Sequence, residues 1–517
     1  MHTQFQSVNE EVEEIQGKVK GNIPPYVRGS LFRNGPAKYQ IGEYKMQHLF
    51  DGMAAVQKWS IDGNNVTYQR KFVKSETFKK NMEANRIVVG EFGTREVPDP
   101  CKNIFQRFFS AFTAKTGKVT DNTSVTVWPQ MDRVFVSTET ETIHEIDPVT
   151  LDTIGSVHLS DLLTINSSTA HTHWTEDGTV YSIGLFYKGK PKHCVVEIPG
   201  KKDKEDSFKN IRIAGETQCR WRFHPGYIHS FNLTENYFVY PEQTFAWSIP
   251  MLASMPFHNK SAMDNFQWYP DEKTLFKIID RKSGVPLSIK YTSEAQFTFH
   301  HINAYEEDGH LVLDMSAYKD AEIIKNLYLE NYTEEKISQT MEKEKLFGEV
   351  RRFVFPLNVD DKTPENENLV RLTGCKATAK KISEDEVYCE YEVLYSGGTY
   401  MYDRNNAFPM FYRSWNTYVY GVGLVCLRLV KLNVSDKTYK LWEPTEGIVS
   451  EPVFVPNPEQ KSEDDGVVLS PVKAYGKGAR PYLILLDGKT FTELARIEFD
   501  TSRFSLDFHG FFRAAET

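Results

Sequence analysis

The amino-acid sequence predicts an all-β protein, arranged as a β-propeller or as a large β-sandwich. Short runs rich in β-branched and aromatic residues recur along all 517 residues, and turn residues bound each run. Six Asp-Gly pairs supply the positive φ angles that tight hairpins require, so most neighbouring strands should be antiparallel. A parallel sheet would need helices between its strands, and no clear linker divides the chain. We therefore expect one domain spanning residues 1–517.

Six of these runs are the clearest predicted strands, at residues 133–138, 179–183, 237–240, 310–315, 466–470 and 482–486. The Asp-Gly pairs begin at Asp51, Asp62, Asp177, Asp308, Asp465 and Asp487. The sequence contains no strict internal repeat, so the strand pattern alone does not distinguish a propeller from a sandwich.

Two stretches predict helices that interrupt the strands. Residues 319–345 are rich in helix-forming residues and predict a helical insert. Residues 101–115 place five apolar side chains on one helical face, with Lys102 and Arg107 beside them. That apolar face consists of Ile104, Phe105, Phe108, Phe109 and Phe112.

Two interpretations of the 101–115 helix are open from the pattern. An aromatic stripe on a helix usually packs into the core of a protein. The same stripe with basic flanks is also typical of a helix that lies on a membrane surface, and Cys101 at its start is then a candidate acylation site. A second apolar stretch, residues 245–257, would extend such a surface.

Composition and charge exclude several classes of protein. A content of 40% hydrophobic and 25% charged residues indicates a globular chain. A net charge of −9 provides no basic field, so nucleic acid is excluded as a partner. The amino terminus has no apolar signal segment and no membrane-spanning run follows, so we expect a cytoplasmic protein. The six cysteines include no Cys-x-x-Cys pair, so neither a disulfide framework nor a structural metal held by thiolates is predicted.

Four groups of histidines are the candidate metal ligands in the sequence. They lie beside aromatic residues at predicted strand ends, and their separations are too long for a local zinc motif, so only a closed fold would bring them together. Motifs of serine hydrolases, phosphate-binding loops and dinucleotide-binding folds are absent. The four groups contain His171 and His173, His229, His300 and His301, and His509.

Seven ordered motifs, which together span nearly the whole chain, give these histidines a context. They occupy residues 23–36, 48–53, 98–105, 299–303, 450–454, 463–469 and 508–510, and include Arg-Gly-Ser-Leu-Phe-Arg-Asn-Gly-Pro, His-Leu-Phe-Asp-Gly-Met and Phe-His-His-Ile-Asn. The chain thereby resembles the carotenoid cleavage oxygenase family, in particular its animal branch, which includes carotene oxygenases and the retinoid isomerohydrolase of the eye.

The resemblance implies a seven-bladed β-propeller with a helical dome over the active-site face, and a non-haem Fe(II) ion on its axis. Matched to the family motifs, the ligands are His171, His229, His300 and His509. His171 and His300 are preferred to their neighbours because the family places the ligand directly after Ala and Phe, respectively. Four neutral imidazoles suit iron(II) and leave two positions for O2 and a polyene. His48 belongs to a family motif, and we expect it to be structural.

The resemblance also implies carboxylates that accept the second N–H group of the ligand imidazoles. Two family carboxylates match Glu139 and Glu451. A third is expected before the strand that begins near Tyr418, where this sequence departs from the family. Asp403 is the nearest carboxylate there, and its assignment stays open.

Three aromatic side chains are candidates for lining the substrate cleft, because aromatic walls hold a polyene by shape and stabilise a cationic intermediate. Packing in the core is an equally good interpretation of each of them. These candidates are Tyr227, Tyr328 and Tyr332.

The activity that the resemblance favours is O2-dependent cleavage of the central 15,15′ double bond of a carotenoid (zeaxanthin, lutein or β-carotene). The products would be two retinal-type aldehydes, with all-trans to 11-cis isomerisation of one half. Isomerohydrolysis of a retinyl ester, and carotenoid binding without catalysis, remain alternatives. Because a carotenoid is too apolar to travel through water, the membrane interpretation of residues 101–115 is favoured, and we expect peripheral attachment to an intracellular membrane.

Overall fold

A computed structural model of the chain describes residues 7–98, 120–186, 189–200, 207–254, 260–332, 348–396, 399–401, 417–423, 428–474 and 478–515. Strands dominate these residues, as the sequence predicts. The helices within them are short: α1 (Glu76–Glu83), α2 (Leu159–Leu162), α3 (Ile249–Ser254) and α4 (Glu322–Asn326), with 3₁₀ turns at Ser207–Asn210, Met263–Asn265 and Leu329–Asn331.

The strands of the amino-terminal half are β1 (Val12–Gly21), β2 (Gly29–Lys38), β3 (Gln40–Ile41), β4 (Tyr44–Lys45), β5 (Met53–Asp62), β6 (Asn65–Phe72), β7 (Thr126–Gln130), β8 (Arg133–Ser137), β9 (Thr142–Ile146), β10 (Thr153–His158), β11 (Ser167–Ser168), β12 (His173–Trp174), β13 (Val180–Phe186), β14 (Lys192–Ile198), β15 (Arg212–Gln218), β16 (Asn232–Leu233), β17 (Tyr237–Glu242) and β18 (Phe245–Trp247).

The strands of the carboxyl-terminal half are β19 (Phe266–Trp268), β20 (Thr274–Asp280), β21 (Lys290–Ser293), β22 (Phe297–Glu307), β23 (His310–Tyr318), β24 (Glu349–Pro356), β25 (Thr378–Ser383), β26 (Glu386–Glu390), β27 (Glu392–Ser396), β28 (Thr399–Met401), β29 (Tyr418–Gly423), β30 (Arg428–Asn433), β31 (Tyr439–Trp442), β32 (Ile448–Val449), β33 (Val453–Pro456), β34 (Gly466–Lys473), β35 (Tyr482–Asp487), β36 (Glu493–Phe499) and β37 (His509–Ala514).

The strands form a propeller-like series of sheets that follow one another along the chain. The first sheet has ten strands, in the order β32-β34-β35-β36-β1-β6-β5-β2-β37, with β33 paired to β34. The second is β10-β9-β8-β7, and the third is β11-β13-β14-β15 with β12 paired to β13. The fourth is β16-β17-β20-β21-β26-β25, the fifth is β22-β23-β24-β27 and the sixth is β28-β29-β30-β31. Two ribbons, β3-β4 and β18-β19, complete the described sheets.

The number of separate sheets differs from the seven blades that the family resemblance implies. Five separate sheets have four to six strands, and the remaining large sheet is continuous over ten strands. The continuity arises from β1, because its first half pairs with β6 and its second half pairs with β36. One strand from the amino terminus therefore joins strands from both ends of the chain.

The six clearest predicted strands are confirmed, as β8, β13, β17, β23, β34 and β35. The expectation that most neighbouring strands are antiparallel is also confirmed; among the described strand pairs, β21-β26 is the parallel one. The Asp-Gly pair at Asp308 forms the tight β22-β23 turn, where Asp308 has φ 45° and Gly309 has φ 74°. Strand β35 lies in the middle of the large sheet, and burial on both faces explains its unbroken apolar sequence.

Within residues 319–332, the described part of the predicted helical insert, α4 covers Glu322–Asn326 and a 3₁₀ turn covers Leu329–Asn331. Helix α4 ends at Asn326, because the next residues pair with a different segment of backbone. Leu49 donates its N–H to the carbonyl of Leu327 at 2.9 Å, and Leu329 donates to the carbonyl of Gln47 at 2.7 Å. These tertiary hydrogen bonds replace the helical ones. Residues 333–345 of the predicted insert lie outside the described residues.

The apolar stretch at residues 245–257 also differs from the expectation of a continuous surface patch. Phe245 is buried and stacks on Phe266, with ring centroids 4.6 Å apart. It therefore belongs to the core, because strand β18 pairs with β19 and turns this side chain inward. Residues 255–257 lie outside the described residues. No helix in the described part of the chain is long and apolar enough to cross a membrane.

The pairing of β1 with β36, which connects the two ends of the chain, provides a test of the fold. At Gly17, a Cβ atom would lie 2.4 Å from Ile497 Cγ2 and 2.7 Å from the Phe499 ring, and both of these side chains are fully buried. Gly17→Ala should therefore destabilise the protein by about 1–3 kcal/mol through overpacking, measured as a lower thermal unfolding midpoint. Gly155→Ala is the matched control, because nothing lies within 4 Å of its Cβ position. Equal midpoints for the two variants would contradict the prediction.

Candidate metal centre

Four histidines from four distant segments of the chain meet inside the protein. His171 lies in the loop shortly before β12 of the third sheet, and His229 lies in the loop before β16 of the fourth. His300 lies within β22 of the fifth sheet, and His509 begins β37 of the first. All four side chains are buried, and one nitrogen of each lies within 4.8 Å of the others. The closed arrangement of sheets thus brings together residues that are up to 338 positions apart in the sequence (509 − 171).

The spacing of the imidazoles fits a single metal ion. The Nε2 atom of His229 lies 3.0 Å from Nε2 of His171 and 3.3 Å from Nε2 of His300. The ring centroids of His171 and His509 are 4.3 Å apart. Two nitrogens that bind one ion at a distance of about 2.1 Å, and at right angles, are themselves about 3.0 Å apart. The cluster could therefore hold a metal ion without a large rearrangement.

Burial keeps this cluster in the form that binds a metal. Burial lowers the pKa of His171 and His300 well below the usual value, and the other histidines lower both further. For His509, burial lowers the pKa and Glu451 partly offsets that effect. Because a metal binds the neutral imidazole, these buried rings need lose no proton at neutral pH.

The neighbouring histidines point elsewhere. His173 Nε2 lies 2.6 Å from the carbonyl oxygen of Phe231, and His301 Nδ1 lies 2.7 Å from Ser230 Oγ. His301 follows His300 in strand β22, where the pairing with β23 has register shifts on both sides of His301. Burial lowers the pKa of His173 to about 4 and of His301 to about 3, so both are neutral structural residues.

Glu139 and Tyr227 support His229. The Glu139 carboxylate and the Nδ1 atom of His229 are in hydrogen-bond contact, and Tyr227 donates its hydroxyl to Glu139 at 2.6 Å. The same hydroxyl lies 2.9 Å from His229 Nδ1. Burial raises the pKa of Tyr227 well above its usual value, and the Glu139 charge raises it further, so the phenol remains protonated. This contact fixes the orientation of the imidazole and directs Nε2 into the cluster.

Glu451 supports His509 in the same way, but in a fully buried setting. Its Oε1 atom lies 3.0 Å from His509 Nδ1, and its Oε2 atom accepts a hydrogen bond from the backbone N–H of Gly510 at 3.1 Å. The Arg33 guanidinium forms an ion pair with the same carboxylate. Arg33 is 0% exposed and also donates to the Phe508 carbonyl at 2.8 Å.

Arg33 is the supporting residue that the sequence analysis missed. A second buried carboxylate, Asp507, lies beside its Nε atom at 3.4 Å and accepts from Lys473 Nζ at 3.0 Å. The sequence did mark this residue, since Arg33 lies in the Arg-Asn-Gly-Pro part of the first family motif. Nothing local shows that this arginine is buried, because its partners lie more than 400 residues away.

His48 is placed as expected, away from the cluster. Its Nε2 atom lies 2.9 Å from the carbonyl oxygen of Ile324, and its Nδ1 atom accepts from the Phe50 backbone N–H at 3.2 Å. The Tyr328 ring packs edge-on against it, with centroids 5.0 Å apart. Tyr332 is buried in the adjoining apolar cluster. Of the three candidate cleft tyrosines, Tyr227 is the one whose described contacts include a histidine of the metal cluster.

An aromatic wall adjoins the four histidines. The Phe299 ring packs edge-on against His229 at 5.0 Å between centroids, and Phe50 contacts both Phe299 and Phe508 at 6.0 and 5.5 Å. Such surroundings exclude water and favour an apolar ligand. Seven predicted site residues lie outside the described residues: Asp403, Cys101, Ile104, Phe105, Phe108, Phe109 and Phe112.

Comparison with known proteins identifies the family. The family model for retinal pigment epithelial membrane protein (RPE65) matches residues 5–514. The chain belongs to the RPE65 family of carotenoid cleavage oxygenases. It is 35% identical to human beta,beta-carotene 15,15′-dioxygenase over 520 residues, which cover 97% of this chain and 93% of the human protein. It is 37% identical to carotenoid isomerooxygenase of Galleria mellonella over 503 residues, which cover 96% and 93% of the two chains.

Solved structures of similar fold support the propeller fold of this chain. Synechocystis apocarotenoid oxygenase, in its Glu150Gln mutant form, matches with a TM-score of 0.77 and 20% sequence identity. The match covers 99% of this chain and 98% of that chain. A chimera of the same oxygenase with RPE65 matches with a TM-score of 0.75.

Adjacent histidines allow a matched test of the metal centre. His300→Ala removes an imidazole that faces the cluster, so one bound transition-metal ion per chain should be lost, as measured by elemental analysis. His301→Gln changes the next residue, which faces Ser230, and should leave the metal content unchanged. Loss of metal from both variants, or from neither, would contradict the assignment of His300.

Proposed function

We propose that this protein is a non-haem iron carotenoid oxygenase that cleaves the central 15,15′ double bond of a carotenoid with O2. The products are two retinal-type aldehydes, and one half is isomerised from all-trans to 11-cis. The observation that carries the proposal is the buried cluster of His171, His229, His300 and His509 in a chain of this family. The names of the dioxygenase and isomerooxygenase relatives support the reaction type.

Iron(II) is the metal that we propose for this donor set, because imidazole ligands suit it and the family relatives are oxygenases. Four imidazoles carry no charge, so the ion would keep its full positive charge, and thiolates are absent from the set. Iron(II), when bound, supplies the redox chemistry with O2. The protein holds the imidazoles: Glu139 and Glu451 accept from the Nδ1 atoms of His229 and His509, so that both rings present Nε2 to the cluster.

The substrate class follows from the surroundings of the cluster. Phe299 and Tyr227 pack next to His229 within an apolar cluster that also contains Phe297 and Tyr318. A polyene fits such a wall by shape and dispersion, whereas a polar substrate would find few partners. The hydroxyl of Tyr227, which contacts the His229 imidazole, is already engaged by Glu139. We further propose that Tyr328 and Tyr332 line the cleft from the insert side.

The propeller is proposed to have seven blades. The ten-stranded sheet can be divided at β1, where the pairing changes from β6 to β36. Two blades joined by this shared strand, together with the five separate sheets of four to six strands, give seven. The shared strand would then close the ring by joining the first and last blades.

Attachment to a membrane is proposed for substrate entry. The sequence pattern of residues 101–115 provides an apolar face with basic flanks, and a carotenoid is dissolved in lipid rather than in water. The protein would then be cytoplasmic and peripherally bound to an intracellular membrane, with Cys101 as a candidate acylation site.

The cleavage reaction is tested with protein reconstituted with iron(II) and all-trans zeaxanthin or β-carotene in detergent. Retinoid isomers are resolved by chromatography, with and without O2. We expect O2-dependent formation of two C20 aldehydes, one of them 11-cis. His300→Ala should lower turnover by at least about 10³-fold because the metal is lost, whereas His301→Gln should retain it.

Other outcomes of this assay identify the alternatives. Two all-trans aldehydes would remove the isomerase activity from the proposal. Release of a cis-retinol from a retinyl ester without O2, in the absence of carotenoid cleavage, would indicate isomerohydrolysis. Carotenoid binding with no product under any condition would leave a binding protein.

The membrane contact is tested by sedimentation with phospholipid vesicles. Replacing Phe108, Phe109 and Phe112 together by Ser removes three large apolar side chains, so the variant should move from the vesicle pellet to the supernatant. Tyr439→Ser is the control, because Tyr439 is an exposed aromatic residue on strand β31. Unchanged vesicle binding of the triple variant would contradict the proposal.

A further inference from the structure

A second group of metal-ligating side chains lies between the third and fourth sheets, outside the four-histidine cluster. His193 is in β14, Cys219 directly follows β15, and Glu242 ends β17. His193 and Glu242 are buried and Cys219 is partly buried. One ligand atom of each lies within 4.8 Å of the others. The cysteine spacing gave no indication of this group, because its members belong to different strands and meet only in the folded protein.

The distances within this group match a tetrahedral metal site. Cys219 Sγ lies 3.5 Å from His193 Nε2. A sulfur and a nitrogen bound to one zinc ion at about 2.3 and 2.05 Å, at the tetrahedral angle, are about 3.6 Å apart. A thiol that donates a hydrogen bond to the imidazole would give a similar distance. The distinction between a hydrogen bond and a shared metal ion therefore rests on the other groups around the site.

A buried hydroxyl without a hydrogen-bond partner provides the second observation. The hydroxyl of Tyr240 is fully buried and has no hydrogen-bond partner among the described residues. Its ring packs edge-on against His193, with centroids 5.6 Å apart. Oε2 of Glu242, a residue that is 0% exposed, makes no hydrogen bond within the described part of the chain and is instead ion-paired with Lys277. Buried polar atoms without partners are rare, and they point to a ligand such as an ion or a water.

The charges around the group are compatible with a cation whose ligands include an anionic sulfur. Glu242 Oε2 lies 3.2 Å from Lys277 Nζ, which also donates to the Gln218 carbonyl at 3.0 Å. Glu242 Oε1 accepts from the backbone N–H of Arg220 at 2.8 Å. Replacing the thiol proton of Cys219 by a divalent ion adds one net positive charge to the group. The negative charge of the Glu242 carboxylate would offset this added charge.

We propose that His193, Cys219 and Glu242 bind a zinc ion that cross-links the third and fourth sheets. Thiolate, imidazole and carboxylate together are the donors that zinc takes in proteins. Binding releases the thiol proton of Cys219 to solvent. A water at the fourth position gives the Tyr240 hydroxyl its missing partner. The site is structural, because three strands rather than a substrate cleft surround it.

The proposal is tested in the His300→Ala background, which disables the four-histidine cluster. Zinc is titrated into the purified full-length protein against a chromophoric chelator, and one tightly bound ion per chain is expected. Adding Cys219→Ser should weaken zinc binding by more than the roughly 10–100-fold that loss of an outer partner costs. Cys389→Ser is the matched control, because Cys389 is buried in a different core cluster.

Cobalt(II) gives an independent readout that does not depend on the folding of a cysteine variant. The His300→Ala protein loaded with cobalt(II) should show a thiolate-to-cobalt charge-transfer band, and His193→Gln should weaken this band because one ligand is lost. Absence of this band, or failure of His300→Ala to bind zinc, would overturn the proposal and leave a plain thiol-imidazole hydrogen bond. Equal zinc affinity with and without Cys219→Ser would overturn it as well. Carotenoid cleavage is measured separately and does not bear on these outcomes.

Discussion

The buried ion pair between Arg33 and Glu451 connects the closure of the fold to the metal centre. Arg33 lies in β2, near the amino terminus, and Glu451 precedes β33, more than 400 residues later. Glu451 in turn holds His509. Removing one member of a buried pair leaves the other charge without a partner, which typically costs about 3–5 kcal/mol. The pair is therefore expected to matter to both folding and ligand geometry.

The surrounding polar groups offset the cost of burying the charges of Arg33 and Glu451. Asp507 and Lys473 form a second pair beside Arg33, and backbone groups of Phe508 and Gly510 supply further hydrogen bonds. Burial alone would raise the pKa of Asp507, but Lys473 and Arg33 lower it overall, so the carboxylate stays charged. A fully hydrogen-bonded network of this kind is rigid, and rigidity at His509 is what a metal ligand requires.

The two described carboxylate partners differ in their exposure. The Glu139 side chain is 28% exposed and accepts hydrogen bonds from both His229 and Tyr227. The Glu451 side chain is 3% exposed and forms an ion pair with Arg33. His229 therefore faces the aromatic wall and the proposed cleft, while His509 faces the closed joint of the sheets. The His229 side of the cluster is therefore the side that a substrate would approach, and the His509 side is the side that the buried ion pairs hold in place.

The sequence by itself indicated the all-β class and six strands, because strand periodicity is a local property. Its ordered motifs indicated the family and, through that resemblance, the four histidines as candidate ligands. The preference for His300 over His301 came from the family pattern alone, and the structure places His300 among the other three histidines and His301 against Ser230. The end of α4 at Asn326, the joining of two blades by β1 and the burial of Arg33 were decided by the tertiary structure, since each depends on partners distant in sequence. The same reason hid the His193, Cys219 and Glu242 group, which no local spacing could reveal.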